Sequence, residues 1–518
     1  MRVWRQAGDI QRRGRAVRGL VAVGIVGALG MTAIAGRSPG AEAVVEAEPR
    51  PNIVMILADD LGWSDTSLYG TTTLHRTPNL QRLAARGVTF TRAYAASPLC
   101  SPTRASILTG QTPARHGSTS PVHHLPEVRL TPQAKPHGPP GDRTCGVQSV
   151  SRLDPALPTL GRLLRAAGYR TAHVGKWHLG AEPYSPLEHG FEVDVPHTSG
   201  PGPGGNFVAP WSFGRFAPRS ADEHVEDRMA AEAVAWMESV KDEPFYLQYW
   251  QFSVHAPFDA KEGLVAEYRE RVDPAATQRS ATYAAMVHSL DDAVGTLLDA
   301  IDRLGIADRT IVVFTSDNGG NCYNGIPETT ADGTAFIAPP TSNAPLRGGK
   351  ATIYEGGIRV PEVIVWPGVA PPGSRCALLT QCTDLYPTLL AAGGVSWPDG
   401  HRIDGVDIRP AIAGRAFDRG AVFTYFPHAP NVPHWLPPSA AVHRGDWKLI
   451  RLFHQGADGT HTRQLYDLAA DPGEARDLAA AHPGLVAELD AELERHLRDA
   501  SAVVPLPHPR FDSAAERP

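Results

Sequence analysis

Lysine is scarce in this chain of 518 residues, because only six of its 49 basic residues are lysine. An excess of positive charge is also absent: the formal net charge is −6 at pH 7, which argues against a nucleic-acid partner. Cysteine is limited to five residues, an odd number that leaves at least one thiol unpaired. The remaining composition, 42% hydrophobic and 20% charged, is that of a globular protein with a large core.

Long apolar runs are absent after the N-terminal region, which excludes a protein that crosses a membrane several times. The N-terminus is rich in arginine, an apolar run follows at Leu20–Ala35, and Ala41–Ala43 is a small-residue cleavage motif. We interpret residues 1–43 as a signal peptide and 44–50 as a linker. The mature protein is then exported, periplasmic or secreted, without stable membrane insertion. An uncleaved membrane anchor is the alternative, because the apolar run is near the lower length limit for spanning a bilayer.

Apolar segments alternate with amphipathic segments over most of the chain, a pattern typical of an α/β protein. The run Asn52–Asp60 is continuously apolar up to two final carboxylates, as expected of a buried strand in a parallel sheet. We predict a large domain at 51–418 with a mostly parallel sheet flanked by helices. A smaller C-terminal α+β domain at 419–518 has patterns of antiparallel strands and a helix. A long loop at Arg115–Pro155 interrupts the alternation and is a candidate binding loop.

Oxygen-bearing side chains follow two of the predicted strands. Asp59 and Asp60 end the first strand, and Asp317 and Asn318 follow the strand at 310–315. Ligands of open parallel sheets bind beyond the carboxyl ends of the strands, so these four side chains should meet there. Carboxylate and amide oxygens suit Ca²⁺, and less well Mg²⁺, whereas Zn²⁺ would favour histidine or cysteine. The alternative for each residue alone is a turn or a helix cap.

Cationic and imidazole side chains are predicted at the same edge. Lys176 and His178 follow the strand at 170–174, and His255 follows the strand at 245–253. Lys350 lies in a second glycine-flanked loop. Because the chain otherwise uses arginine, these lysines suggest sites where a compact ammonium binds an anion, although surface lysines are the alternative.

Cys100 occupies the predicted start of a short helix. Pro102 suits a first helical turn, and Gly110 suits a helix end. Unpaired N–H groups and the helix dipole at such a position favour anions. A packed core thiol, half of a disulfide and a thiolate nucleophile all remain open, although a thiolate is a poor companion for a hard metal. Among the other cysteines, the close pair Cys376 and Cys382 is a candidate disulfide.

The motifs around these residues resemble those of the type I sulfatases of the alkaline phosphatase superfamily. The signature C-x-P-x-R followed by L-T-G stands here as CSPTR at 100–104 and LTG at 108–110. GKWHLG at 175–180, SDNGG at 316–320 and LRGGK at 346–350 follow in the family's order. The resemblance extends from about Asn52 to Asp477, which is nearly the whole mature chain.

The resemblance implies that a maturation enzyme oxidises Cys100 to Cα-formylglycine. This aldehyde hydrates to a diol, one oxygen of which attacks sulfur and releases the alcohol. The second hydroxyl then loses its proton and expels sulfate. By motif position, the Ca²⁺ ligands are Asp59, Asp60, Asp317 and Asn318, together with the modified residue 100.

The resemblance also implies roles for the remaining site residues. Arg104 orients the formylglycine, Lys176 and Lys350 bind the sulfate, His178 is the base, and His255 protonates the leaving oxygen. The substrate class is then a sulfated sugar or an aryl sulfate. Two alternatives remain, namely a phosphonate monoester or phosphodiester hydrolase of the same superfamily and a non-catalytic protein that binds sulfated glycans. His123 and His124 in the long loop either contact substrate or are plain surface residues.

Overall fold

The computed structural model describes residues 50–516, so the predicted signal peptide and all but the last residue of the linker lie outside the described residues. Within this range, no helix has the length and hydropathy needed to cross a bilayer.

A nine-stranded sheet forms the centre of the fold. Its strands are β1 (Asn52–Ala58), β2 (Val88–Tyr94), β3 (Arg170–Gly175), β4 (Val193–Val195), β5 (Phe245–Trp250), β6 (Thr310–Ser316), β9 (Arg359–Val365), β10 (Ser374–Cys376) and β11 (Thr380–Gln381). A separate hairpin comprises β7 (Ile326–Thr329) and β8 (Ala335–Ala338). The sheet order is β10-β2-β9-β6-β1-β5-β3-β4, and β11 also pairs with β2. Only β9 is antiparallel to its neighbours, which confirms the prediction of a mostly parallel sheet.

Helices cover both faces of this sheet. They are α1 (Pro78–Ala84), α2 (Cys100–Thr109), α3 (Leu160–Ala166), α4 (Val225–Val240), α5 (Glu262–Arg269), α6 (Ala281–Arg303) and α7 (Leu385–Ala392). Alternate residues of β1 belong to two separate apolar clusters. Val54 and Ile56 pack with side chains of α1, α4, α5 and α6, whereas Ile53 and Met55 pack with those of α2, α3 and α7. Because side chains alternate along a strand, a continuous apolar run is required to fill both clusters.

Four antiparallel strands form a second sheet near the C-terminus. They are β12 (Val422–Phe426), β13 (Ser439–Arg444), β14 (Trp447–Leu452) and β15 (Thr462–Asp467), paired in chain order. Helix α8 (Pro483–Asp499) buries Leu489 and Leu493 in one apolar cluster with Val442 and Leu449 of the sheet. The predicted strands and helix of this region are confirmed, while the domain boundary after residue 418 stays a prediction.

The sequence left the disulfide pairing open, with Cys376 and Cys382 as the close pair, and the structure has all five cysteines as free thiols. Cys376 ends β10, and Cys382 begins the turn that leads into α7; both are buried in the apolar cluster that contains Ile364 and Leu385. Closeness in sequence did not predict a bond, since a disulfide also needs two side chains that point at each other.

Candidate active site

The carboxyl ends of five strands supply the side chains of one site. Those of β1, β2, β3, β5 and β6 lie at the same edge of the sheet because these strands are parallel. All ten predicted site residues lie at this edge or in the loop carrying Lys350, and their contacts connect them. We name seven of them the active-site cluster: Asp59, Asp60, Lys176, Arg104, Asp317, Asn318 and Lys350.

The four predicted metal ligands are buried together. The backbone N–H of Asp60 donates to Oδ1 of Asp317 (3.1 Å), and Nδ2 of Asn318 donates to Oδ1 of Asp60 (2.9 Å). Asp60 adopts a left-handed backbone conformation with φ of 62°, which is uncommon for a residue other than glycine. The turn after β1 is therefore held in an unusual conformation that directs its two carboxylates toward β6.

Two oxygens of this set have no hydrogen-bond partner among the described residues. Oδ1 of Asp59 and Oδ1 of Asn318 are buried and accept no hydrogen bond. Ligand atoms of Asp59, Cys100 and Asp317 all lie within 4.8 Å of one another. Burial and the neighbouring Asp59 raise the pKa of Asp317 to about 6, although Arg104 and Lys176 act in the opposite direction. Unpaired hard oxygens at this spacing fit a divalent cation such as Ca²⁺.

Three cations, namely two lysines and Arg104, lie against these carboxylates. Nζ of Lys176 is 2.5 Å from Oδ2 of Asp59, and Nζ of Lys350 is 2.6 Å from Oδ2 of Asp60. Burial alone would raise the pKa of Asp60, but Lys350 and His255 hold it below its ordinary value. The two lysines are therefore charged groups inside the site rather than surface residues.

Arg104 is fully buried and connects three elements of the site. Its Nε and Nη2 donate to Oδ2 of Asp317 at 2.9 and 2.7 Å, and its Nη1 donates to the carbonyl oxygen of Lys176 at 2.6 Å. The guanidinium also lies 5.2 Å from the centre of the Trp250 ring. Since every side of the guanidinium has a partner, Arg104 fixes α2 relative to β3 and β6.

Cys100 is the first residue of α2, as predicted, and is 1% exposed. The residue before it, Leu99, provides no side-chain cap, so the first N–H groups of α2 remain available to an anion. Helix α2 ends at Gly110, whose φ of 68° is the left-handed conformation that favours glycine. Burial raises the pKa of the Cys100 thiol, so a thiolate is disfavoured here.

Three histidines surround residue 100 and the carboxylates. Nδ1 of His178 is 3.3 Å from Sγ of Cys100, and Nε2 of His255 is 3.9 Å from Oδ2 of Asp60. Burial and Lys350 lower the pKa of His255 to about 3. His124 reaches His178 from the long loop, with Nδ1 of His124 at 2.9 Å from Nε2 of His178. The sequence had left His124 undecided between a substrate contact and the surface, because no local motif indicated its partner.

A sheet that gathers hard oxygen ligands, buried cations and a helix start at one edge can bind a metal ion and an anion together, as a hydrolase of an anionic ester requires. Comparison with known proteins narrows this class. The family described as Sulfatase matches residues 51–395, and the family described as N-sulphoglucosamine sulphohydrolase, C-terminal, matches residues 349–502. The chain therefore belongs to the sulfatase family, and it is a sulfuric ester hydrolase.

Relatives span most of the chain. N-acetylgalactosamine-6-sulfatase of Rattus norvegicus is 34% identical over 400 residues, which cover 72% of this chain and 68% of the relative. Arylsulfatase A of Homo sapiens is 31% identical over 492 residues, with 85% of each chain covered.

Solved structures share the fold. Ps i-CgsB in complex with k-i-k-neocarrahexaose has a TM-score of 0.69 and 26% identity, covering 87% of this chain and 93% of that one. The phosphonate monoester hydrolase of Agrobacterium radiobacter has a TM-score of 0.58 at 20% identity, covering 89% of this chain and 100% of that one. The latter likeness is one of fold alone.

Proposed function

We propose that this sulfatase hydrolyses sulfate esters of carbohydrates, with Ca²⁺ and a formylglycine derived from Cys100. The observation that carries the mechanism is the position of Cys100. It begins α2, its Sγ lies 3.3 Å from Nδ1 of His178, and it lies within 4.8 Å of carboxylate oxygens of Asp59 and Asp317. The carbohydrate class is supported by relatives, since N-acetylgalactosamine-6-sulfatase is named for a sugar and Ps i-CgsB was solved with a neocarrahexaose.

Asp59, Asp60, Asp317 and Asn318 would hold the Ca²⁺ ion. When bound, the ion supplies positive charge that offsets the crowded carboxylates and polarises an oxygen of the sulfate. Lys176 and Lys350 would then be released from the carboxylates they contact and could donate to the anion. The fit rests on the unpartnered Oδ1 atoms of Asp59 and Asn318.

A formylglycine at position 100 explains why a cysteine stands beside hard ligands. The thiol has a raised pKa and is an unsuitable nucleophile for this site, whereas the hydrated aldehyde supplies hydroxyl groups, which are hard donors. Arg104, bound to Asp317 and to the carbonyl of Lys176, holds the helix that carries this residue. We propose a formylglycine-generating enzyme as the maturation partner because of the CSPTR motif at 100–104, and export as the route because of the N-terminal sequence pattern.

The two active-site histidines have separate proposed tasks. Nδ1 of His178 is placed to accept a proton from a hydroxyl of residue 100. His255 is placed to donate a proton to the leaving oxygen from the Asp60 side of the site. Burial and Lys350 lower its pKa, and a bound sulfate would counter the Lys350 charge and favour the protonated ring.

Co-expression with a formylglycine-generating enzyme tests this proposal. Mass spectrometry of the peptide that contains residue 100 should show the aldehyde, and a panel of defined sulfated sugars should release sulfate. The same preparation should have a higher kcat/KM for an aryl sulfate than for an aryl phosphonate. A large phosphonate preference would favour the phosphonate monoester hydrolase alternative, and an unmodified thiol with no turnover would favour glycan binding alone.

A further inference from the structure

His178 has a hydrogen-bonding partner at each ring nitrogen. Its Nδ1 lies 3.3 Å from Sγ of Cys100, and its Nε2 lies 2.9 Å from Nδ1 of His124. The backbone is fixed as well, because Oγ of Ser101 donates to the carbonyl oxygen of His178 at 2.7 Å. The His178 ring therefore bridges the start of α2 and the long loop at 115–155.

The direction of these hydrogen bonds follows from the chemistry at position 100. A thiol or a hydroxyl there can donate or accept, and the proposed role of His178 as the base requires that its Nδ1 accepts. A neutral imidazole carries a single hydrogen, which must then be on Nε2 and is donated to Nδ1 of His124.

Hydrogen bonds hold the loop around His124 in one conformation, although the His124 ring is exposed to solvent. The guanidinium of Arg152 donates to the carbonyl oxygen of His123 at 2.9 Å and to that of Leu125 at 2.6 Å. Nε2 of the buried His123 lies 3.1 Å from Oγ of Ser118. The residues on both sides of His124 are thus fixed, and its Nδ1 has a defined position.

We infer that His124 is a positioning residue, which keeps the hydrogen of His178 on Nε2 and leaves Nδ1 free to accept a proton from residue 100. This inference rests on the proposed function, because the free Nδ1 matters only if residue 100 gives up a proton. In the other tautomer His178 would present a hydrogen to the group from which it must take one. Without His124 the ring would populate both tautomers and other orientations, and the proton-transfer step would slow.

The first test is the kinetics of His124→Ala and His124→Asn in the matured enzyme. For His124→Ala we expect kcat to fall by about tenfold to 100-fold, the range known for loss of the outer partner of a metal-bound histidine, with KM within about twofold. His124→Asn should recover most of kcat, because the amide oxygen can accept in place of Nδ1. His137→Ala is the matched control, since His137 is an exposed histidine of the same loop with no side-chain partner among the described residues.

The second test does not depend on turnover. Long-range ¹H–¹⁵N spectra of the unmodified, histidine-labelled protein report the tautomer of His178, assigned by comparison with His178→Gln. We expect the Nε2–H tautomer in the wild type and a mixture of tautomers in His124→Ala.

An unchanged kcat in His124→Ala, a rise in KM alone, or no rescue by asparagine would overturn the inference. So would an Nδ1–H tautomer in the wild type. If the matured wild type cleaves no sulfate ester, the proposed function fails, while the spectra still decide the position of the hydrogen.

Discussion

The protein buries two clusters of charged side chains that differ in how their oxygens are satisfied. We name the second one the inter-sheet cluster; it consists of Tyr94, Glu355, His443, Lys448 and Glu474. It joins the neighbourhood of the large sheet to the C-terminal sheet. Glu355 accepts from Tyr94 (2.8 Å), and its other oxygen lies 3.0 Å from Nε2 of His443 and 3.2 Å from Nζ of Lys448. Lys448 also lies 2.7 Å from Glu474.

The active-site cluster has a similar composition but is not closed in this way. It too contains buried lysine and carboxylates, yet among the described residues Oδ1 of Asn318 has no hydrogen-bond partner, and Oδ1 of Asp59 has only the Nη2 of Arg104 at 3.7 Å. In the inter-sheet cluster Oε1 of Glu474 also accepts no hydrogen bond of good geometry from the described part of the chain, but Nζ of Lys448 lies 2.7 Å from it. Unsatisfied buried oxygens cost free energy, so the wider gap around the two active-site oxygens needs a reason. We attribute it to ligand binding: one cluster holds two sheets together, and the other is left incomplete for a cation and an anion.

The largest expected effect is a loss of activity, and it should follow from a substitution at residue 100, beside the active-site cluster. Cys100→Ala should lower kcat/KM by at least about 10⁴-fold, as removal of other nucleophiles does, because no hydroxyl remains to attack sulfur. The free energy of unfolding should change by only about 1 kcal/mol, since alanine fills most of the small buried volume. Sulfate release and urea denaturation of the same preparations measure the two quantities. Substantial remaining turnover would refute the role of residue 100.

The next largest effect should appear in stability. Lys448→Met removes the cation between Glu355 and Glu474 while keeping a similar apolar stem, and it should destabilise the fold by about 3–5 kcal/mol. At a temperature where the variant is folded, kcat should fall less than tenfold, because the contact of Lys350 with Asp60 is untouched.

The control for this variant is the same substitution at the surface. Lys241 is exposed at the end of α4, and Lys241→Met should change stability by less than about 0.5 kcal/mol. If Lys448→Met were as stable as the wild type, the inter-sheet cluster would contribute no net stability.

The sequence predicted the edge of the sheet where the site lies. Continuous apolar runs ended in Asp59–Asp60 and Asp317–Asn318, and parallel strands place such ends together. Local turn chemistry also predicted that α2 starts at Cys100 and ends before Gly110. These features depend on residues that are close in sequence, or on a rule of strand direction.

Contacts made by long loops could not be predicted in the same way. His124 meets His178 only because Arg152 and Ser118 hold an irregular loop in one conformation. The inter-sheet cluster depends on how two sheets pack, and whether Cys376 and Cys382 form a bond depends on a distance and geometry that their spacing in sequence does not determine. Each of these is set by tertiary packing, on which sequence spacing carries little information.

A smaller effect on the free energy of unfolding should come from binding of Ca²⁺ to the active-site cluster. Ca²⁺ at 100 times its Kd should stabilise the wild type by about 2.7 kcal/mol, because it binds the folded state alone. Thermal unfolding of the unmodified protein with Ca²⁺ or with EDTA measures this gain. Asp59→Asn should lose most of it, whereas Lys448→Met should keep it despite a lower starting stability. An equal gain in Asp59→Asn would place the ion elsewhere.

The last expected effect is a change of stability with pH, and it concerns Glu362 of β9, a buried carboxyl group that belongs to neither cluster. Burial and the nearby Asp384 raise its pKa to about 8, so it stays protonated in the folded state at neutral pH. Below about pH 4.5 both states are protonated and the group contributes nothing. Between that pH and about 8 the unfolded state loses its proton first, so stability should fall as pH rises, by at most about 1.4 kcal/mol per pH unit. Urea denaturation at pH 5, 6.5 and 8 should show this slope in the wild type and a weaker one in Glu362→Gln.

Glu262→Gln, at a side chain that is 83% exposed, should keep the wild-type slope. If the slope of Glu362→Gln matched that of the wild type, Glu362 would be ionised in the folded state. A buried carboxylate of this protein could then be charged without the lysine that contacts the carboxylates of both clusters.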